Sequence, residues 1–151
     1  MLRSWRLEDE WLEGGKLQAP QYGSGRLRSI QQVGDELSAG QDDLANWANG
    51  LDEGFFLPPD AAVLAAAQRV SAWVLQQGYE PAAVNTFLQV ADFWLVAAAL
   101  AGQHTLVTHE VASPTAKRIK IPNVCVGLGV AFMSPYLMLR SKRARFILAP
   151  V

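Results

Sequence analysis

Apolar residues recur at helical spacing over most of the chain beyond residue 25, broken by short β-branched or aromatic runs. Ile30, Val33 and Leu37 fall on one helical face. Ser29 with Gln32 three residues on has the capping-box form, so the pattern predicts a helix starting at Ser29 with Gly40 just past its end. Asp42 or Asp43 can cap a short helix that carries Leu44 and Trp47 and stops at Gly50. Phe55-Phe56-Leu57, halted by Pro58-Pro59, predicts a brief strand or an extended edge segment. Asp60 caps a helix over roughly 61–77, with Val63, Leu64, Ala67, Val70 and Val74 as its core stripe and Gly78 at its end. A second apolar helical region runs over 81–101, with Pro81 in its first turn, a break expected near Val90 and Gly102 at its end. Residues 105–108 then predict a strand, 111–121 a basic loop, 122–128 a short helix, 130–133 a second strand and 135–142 a last helix.

This order predicts an α/β fold with a parallel sheet flanked by helices. In such sheets functional groups gather at the carboxyl ends of strands, where Thr108-His109-Glu110 falls. Residues 1–25 differ from the rest: they are rich in charge, Gly and Trp and keep no period, although Leu7, Trp11 and Leu12 can share a short helical face before Gly14-Gly15. The chain therefore divides into a divergent segment, 1–25, and one domain, 26–148.

Composition narrows the class. At 151 residues, 50% apolar and 18% charged, the chain suits a single core and not global disorder. The single cysteine, Cys125, excludes an internal disulfide or a cysteine-built zinc site and suits a reducing compartment. Charges interrupt the N-terminus from Arg3 to Glu13, and the longest apolar run, 93–101, is short for a bilayer, so a cytoplasmic protein without a membrane partner is expected. The net charge of −1 conceals a division: residues 1–110 hold all fourteen acids against six bases, and residues 111–151 hold seven bases and no acid. Carboxylates in one region and phosphate-binding groups in another would produce it, as would two solvated faces.

Three carboxylates abut apolar elements instead of polar runs: Glu36, Asp92 and Glu110. Gathered together they would repel one another unless a cation stood between them. Mg²⁺ or Mn²⁺ needs few protein ligands and can activate water toward a phosphodiester. Spacing alone equally allows ordinary acids at helix ends.

A family resemblance adds to these readings. Val90-Ala91-Asp92-Phe93-Trp94-Leu95-Val96-Ala97-Ala98-Ala99-Leu100 resembles the PIN-domain segment in which an Asp opens a helix of small and apolar residues. Leu106-Val107-Thr108-His109-Glu110 resembles the strand that follows it. The stretch from Ser113-Pro114-Thr115-Ala116-Lys117-Arg118 through Ile119-Lys120-Ile121-Pro122 to Asn123-Val124-Cys125 is similar to the hallmark of one PIN-like branch, domain of unknown function 4411. Ser29 to Val33, Asp35-Glu36-Leu37 and Phe56-Leu57-Pro58-Pro59 resemble its first helix and inner segment. The resemblance runs from about Gly25 to Leu148.

It implies a PIN-like three-layer sandwich. It also implies an acidic pocket binding Mg²⁺ or Mn²⁺ and cleavage of single-stranded RNA, as in VapC-type toxins of bacterial toxin–antitoxin modules. Glu36, Asp92 and Glu110 stand where the family places metal-holding acids, and Thr108 where a hydroxyl orients a metal-bound water or an acid. Lys117, Arg118 and Lys120 would take RNA phosphates. The expected partners are RNA and a cognate antitoxin protein, with a homodimer allowed. PIN domains open on a strand ending in Asp-x-Asn, and no such strand is legible in residues 1–25, so the usual first strand is expected to be missing. Two functions follow: a metal-dependent endoribonuclease, or a catalytically inactive PIN-like module that still binds RNA or an antitoxin. His109 is expected beside the site or in solvent, His104 on a surface loop, Cys125 and Trp94 in the core, and Asn123 near phosphate or in a turn. Arg140 to Arg145 are read as charge compensation at a helix C-terminus.

Overall fold

The computed structural model describes residues 27–40 and 42–141. The divergent N-terminal segment, the expected helix around Trp11, the question of the missing first strand, and Lys142, Arg143 and Arg145 lie outside the described residues.

The described chain is a mixed α/β domain with seven helices. In order these are β1 (Ser29–Ile30), α1 (Gln31–Ser38), α2 (Asp43–Asn49), β2 (Phe56–Leu57), α3 (Ala61–Leu75), α4 (Pro81–Leu88), α5 (Ala91–Gly102), β3 (Leu106–Val107), α6 (Ile121–Leu128), β4 (Phe132–Met133) and α7 (Pro135–Ser141). The strands pair in parallel, as expected, but as two separate two-stranded sheets among the described residues and not as one. Ser29 faces Phe56 and Ile30 faces Leu57 in the first; Leu106 faces Phe132 and Val107 faces Met133 in the second. Helix α5 packs against both β1 and β3.

The capping-box expectation at Ser29 is corrected. Ser29 is in a strand, 4% exposed, and its N–H donates to the Phe55 carbonyl at 2.9 Å. Helix α1 begins two residues later, with Ile30 extended at the N-cap position and no side-chain cap. Pairing with the aromatic 55–57 segment satisfies the Ser29 backbone, so tertiary contact overrides the local capping signal. Asp42 and Asp60 cap as expected, accepting from Ala45 N at 3.0 Å and Val63 N at 2.8 Å.

The break near Val90 is real: α4 and α5 meet at a bend of 69°. Val90 is extended there, at φ −107° and ψ 162°. Among the described residues no single helix is long and apolar enough to cross a membrane. Helix α5 ends on Gly102, as the sequence suggested, and Gln103 caps it in the left-handed conformation at φ 52°.

The main core gathers α3, α4, α5 and α6, with Val70, Val74, Val96, Val124 and Cys125 fully buried. On α3 the buried stripe runs through Ala66, Ala67, Val70 and Val74, while Leu64 is 50% exposed. A smaller cluster of Ile30, Val33, Leu37, Ala48 and Ala91 joins β1, α1 and α2 to the start of α5.

Helix α6 lies so close to α3 that a Cβ at Gly127 would overlap the Trp73 indole. Gly127→Ala should therefore destabilise the domain by about 1–2 kcal/mol, overpacking outweighing a helix-propensity gain of about 1 kcal/mol. A lower urea midpoint at unchanged slope is the expected result.

Candidate functional site

Asp92 stands in the first turn of α5. The N-cap residue Val90 brings no side-chain acceptor. Glu36 supplies one from α1: its Oε1 accepts from the Ala91 N–H at 3.2 Å. A carboxylate at a helix N-terminus is favoured by the exposed N–H groups and the helix dipole. Burial, then the negative charges of Glu110 and Glu36, push the Asp92 carboxyl up to about 6, with the Lys120 ammonium opposing. Residues far apart in sequence thus act on one carboxyl, and the three predicted acids belong to one electrostatic neighbourhood.

Glu110 leaves β3 and reaches the start of α6. Its Oε2 accepts from the Ile121 N–H at 2.8 Å, and its Oε1 pairs with Lys120 Nζ at 2.5 Å. Thr108 holds the turn before it: the buried Thr108 Oγ1 accepts from the Glu110 N–H at 3.1 Å, and Thr108 N donates to the Met133 carbonyl at 3.0 Å. Glu36 and Glu110 therefore each serve a helix N-terminus, one for α5 and one for α6.

The basic loop is built, not loose. Asn123 Oδ1 accepts from Ser113 N at 3.0 Å and Asn123 Nδ2 donates to the Ser113 carbonyl at 3.0 Å. Asn123 thus closes the loop, which is turn duty. Glu80 N donates to the Ala116 carbonyl at 3.0 Å, tying the loop to the start of α4. Ile119 and Ile121 are buried. Lys117 and Arg118 are exposed, whereas Lys120 is drawn inward.

The family model described as Domain of unknown function (DUF4411) matches residues 16–146. The chain belongs to this family. No curated protein and no solved structure matches it.

The DUF4411 domain offers hard oxygen donors of the kind Mg²⁺ and Mn²⁺ take: the carboxylates of Glu36, Asp92 and Glu110, with the Thr108 hydroxyl behind them. The donor chemistry fits such an ion. Their placement is another matter: among the described residues no three of His, Cys, Asp and Glu stand close enough to share an ion. Two of the acids already accept from helix N–H groups, and Lys120 neutralises one of them.

Sequence reasoning treated Lys120 as one of three equivalent RNA-binding bases, and the structure separates it from the other two. The available signal was its position directly before Ile121-Pro122, where a helix starts opposite a strand-end acid. His109, next to Thr108, has a buried Nε2 without a hydrogen-bond partner, and its ring meets the exposed Tyr136 edge-on at 6.5 Å. Ser29 Oγ is likewise buried and unpartnered. His104 is exposed and Arg140 lies in the last turn of α7, both as expected. Cys125 is buried, its thiol pushed up to about 11 by burial, which makes it an inert core residue. Trp94 packs against the core beside Phe93.

Proposed function

We propose that this DUF4411 domain is a PIN-like, metal-dependent endoribonuclease acting on single-stranded RNA, the toxin component of a bacterial toxin–antitoxin module. The observation that carries the reading is the Glu36 carboxylate seated on the N-terminus of α5 next to Asp92, with a structured basic loop held to the strand-end acid Glu110. A bound Mg²⁺ or Mn²⁺ would supply an activated water and offset charge on the scissile phosphate. The chain's own part is to aim Asp92 from a rigid helix, to hold Glu110 through Thr108, and to seat the phosphate backbone on Lys117 and Arg118.

The test is Mn²⁺ titration and RNA cleavage with purified protein. Asp92→Asn should weaken Mn²⁺ binding and abolish cleavage, while Glu53→Gln, in an exposed turn, should do neither. Equal effects of the two changes would remove Asp92 from the site.

A second reading, a non-catalytic PIN-like module that binds RNA or an antitoxin, is favoured by one observation: both oxygens of the Glu110 carboxylate are engaged by the protein itself, by Lys120 Nζ and Ile121 N. Under that reading RNA binds and is not cut.

Under either reading the exposed bases should carry the salt dependence. Phosphate contacts release counterions, so each contact adds roughly 0.7 log units of affinity loss per decade of salt on a single strand. Replacing Lys117 and Arg118 together with Gln should weaken RNA binding and flatten that slope by about 1.4. An unchanged slope would make the loop a solvated face and nothing more.

A further inference from the structure

Tyr136, in the first turn of α7, is 78% exposed. A ring of that size contributes little to the fold when it stands in solvent. It is nevertheless braced: it meets the His109 ring close to a right angle, at 6.5 Å between centroids. His109 directly follows Thr108, whose N–H donates to the Met133 carbonyl at 3.0 Å, so the two rings belong to the carboxyl ends of the paired strands β3 and β4. Functional groups gather at such ends. Arg140 follows Tyr136 by four residues on the same face of α7 and is exposed. The loop that carries the exposed Lys117 and Arg118 leaves from the end of β3. The acid next to His109, Glu110, is paired with Lys120, so its charge is offset.

We propose that Tyr136 is a stacking platform for an unpaired base of single-stranded RNA, braced by His109, with Arg140 taking a phosphate of the same strand. The inference rests on the RNA-binding reading above and needs no metal. Every base has a π-face and every phosphodiester a negative charge, so a single strand is held by an open aromatic ring with a cation in reach of it. Positions four apart on a helix stand about 5–6 Å apart at Cβ, which lets Tyr136 and Arg140 serve neighbouring parts of one strand. The His109 ring limits the swing of the Tyr136 ring and leaves its solvent side open to the base. Charge complementarity names a polyanion as the occupant, since residues 111–151 hold seven bases and no acid. In a duplex the bases are stacked and paired with one another and cannot reach the ring, so the platform selects unpaired strands.

Fluorescence anisotropy with a labelled oligoadenylate tests this over a series of salt concentrations, in EDTA so that no metal-dependent cleavage occurs. The full chain is compared with Tyr136→Ala, Tyr136→Phe, Leu137→Ala and Arg140→Gln, each checked for folding by circular dichroism. Tyr136→Ala should bind about tenfold more weakly with an unchanged salt slope, since stacking releases no counterions. Tyr136→Phe keeps the ring and should stay within about twofold of wild type, as should Leu137→Ala, which removes an exposed side chain without a ring. Arg140→Gln should flatten the salt slope by about 0.7. The same strand annealed to oligouridylate should bind Tyr136→Ala and wild type alike. Unchanged oligoadenylate affinity in Tyr136→Ala, or an equal loss in Leu137→Ala, would overturn the platform and leave the RNA reading standing. Loss of self-association in Tyr136→Ala at unchanged RNA affinity would also overturn it and make the ring a contact between copies of the chain. A wild type that binds no oligoadenylate would overturn both.

Discussion

Glu110→Ala is expected to lower the stability of the domain by about 2–4 kcal/mol. Two losses combine. The Lys120 ammonium, on a side chain only 20% exposed, is left without its partner, and the Ile121 N–H at the start of α6 loses its acceptor. Breaking one side of a largely buried pair costs more than the pair contributes, because the remaining charge stays poorly solvated. The exposure of Lys120 places the effect toward the lower end of that range. Urea denaturation of Glu110→Ala, Lys120→Met and the double variant checks it. The double variant should recover at least about 1 kcal/mol relative to the sum of the single changes, since it no longer strands an ammonium. Simple additivity would mean that the pair is not coupled in solution.

Much of this arrangement was legible in the sequence, for reasons that differ by element. Asp42 and Asp60 announce helix starts because a short acceptor side chain next to an apolar run has few better uses, and both cap as read. The break at Val90 was legible because the 81–101 region carries a polar Gln89 and a β-branched residue between two apolar blocks, and the chain bends there. Ser29 misled because capping is a local signal and strand pairing is not: nothing near Ser29 in sequence reports that Phe55 and Phe56 will lie beside it. The α3 stripe held at Ala67, Val70 and Val74 and failed at Leu64. Leu64 is the larger hydrophobe, yet it is half exposed and the small Ala66 takes the buried position. At the site, Glu36, Asp92 and Glu110 stood out as acids against apolar elements, and the structure brings all three into one electrostatic neighbourhood. Their engagement by Ala91 N and Ile121 N could not be read, because each bond joins elements whose relative placement depends on the whole core. Lys120 was grouped with Lys117 and Arg118 because charge has no direction in a sequence; buried Ile119 and Ile121 give it one.

Asp92→Asn should stabilise the fold above pH 6 while removing the group on which the proposed metal chemistry turns. The sign follows from where the proton is held. The folded carboxyl is pushed from an ordinary 3.8 up to about 6 by burial first and then by the charges of Glu110 and Glu36. A group that holds its proton more tightly when folded favours the native state most at pH below 3.8. That contribution fades as pH rises from 3.8 toward 6, and above 6 the full cost of an ionised, crowded carboxylate is present. Each unit of pKa corresponds to about 1.36 kcal/mol, and solvent screening at a partly exposed carboxyl reduces the total to about 1–2 kcal/mol. Asn has the same shape and never ionises, so it escapes this cost. Thermal melts should show Asp92→Asn above wild type at pH 8, with the advantage gone by pH 4. Adding Mn²⁺ at pH 8 should raise the wild-type midpoint, because a ligand that binds only the folded state stabilises it, and should leave the Asn variant nearly unmoved. A variant that is less stable than wild type at pH 8 would show the opposite balance, with Asp92 held as a helix-N-terminal acid by the dipole of α5 and not crowded by Glu36 and Glu110. In that case the three carboxylates would be separate helix caps, and the reason for placing a cation among them would be gone.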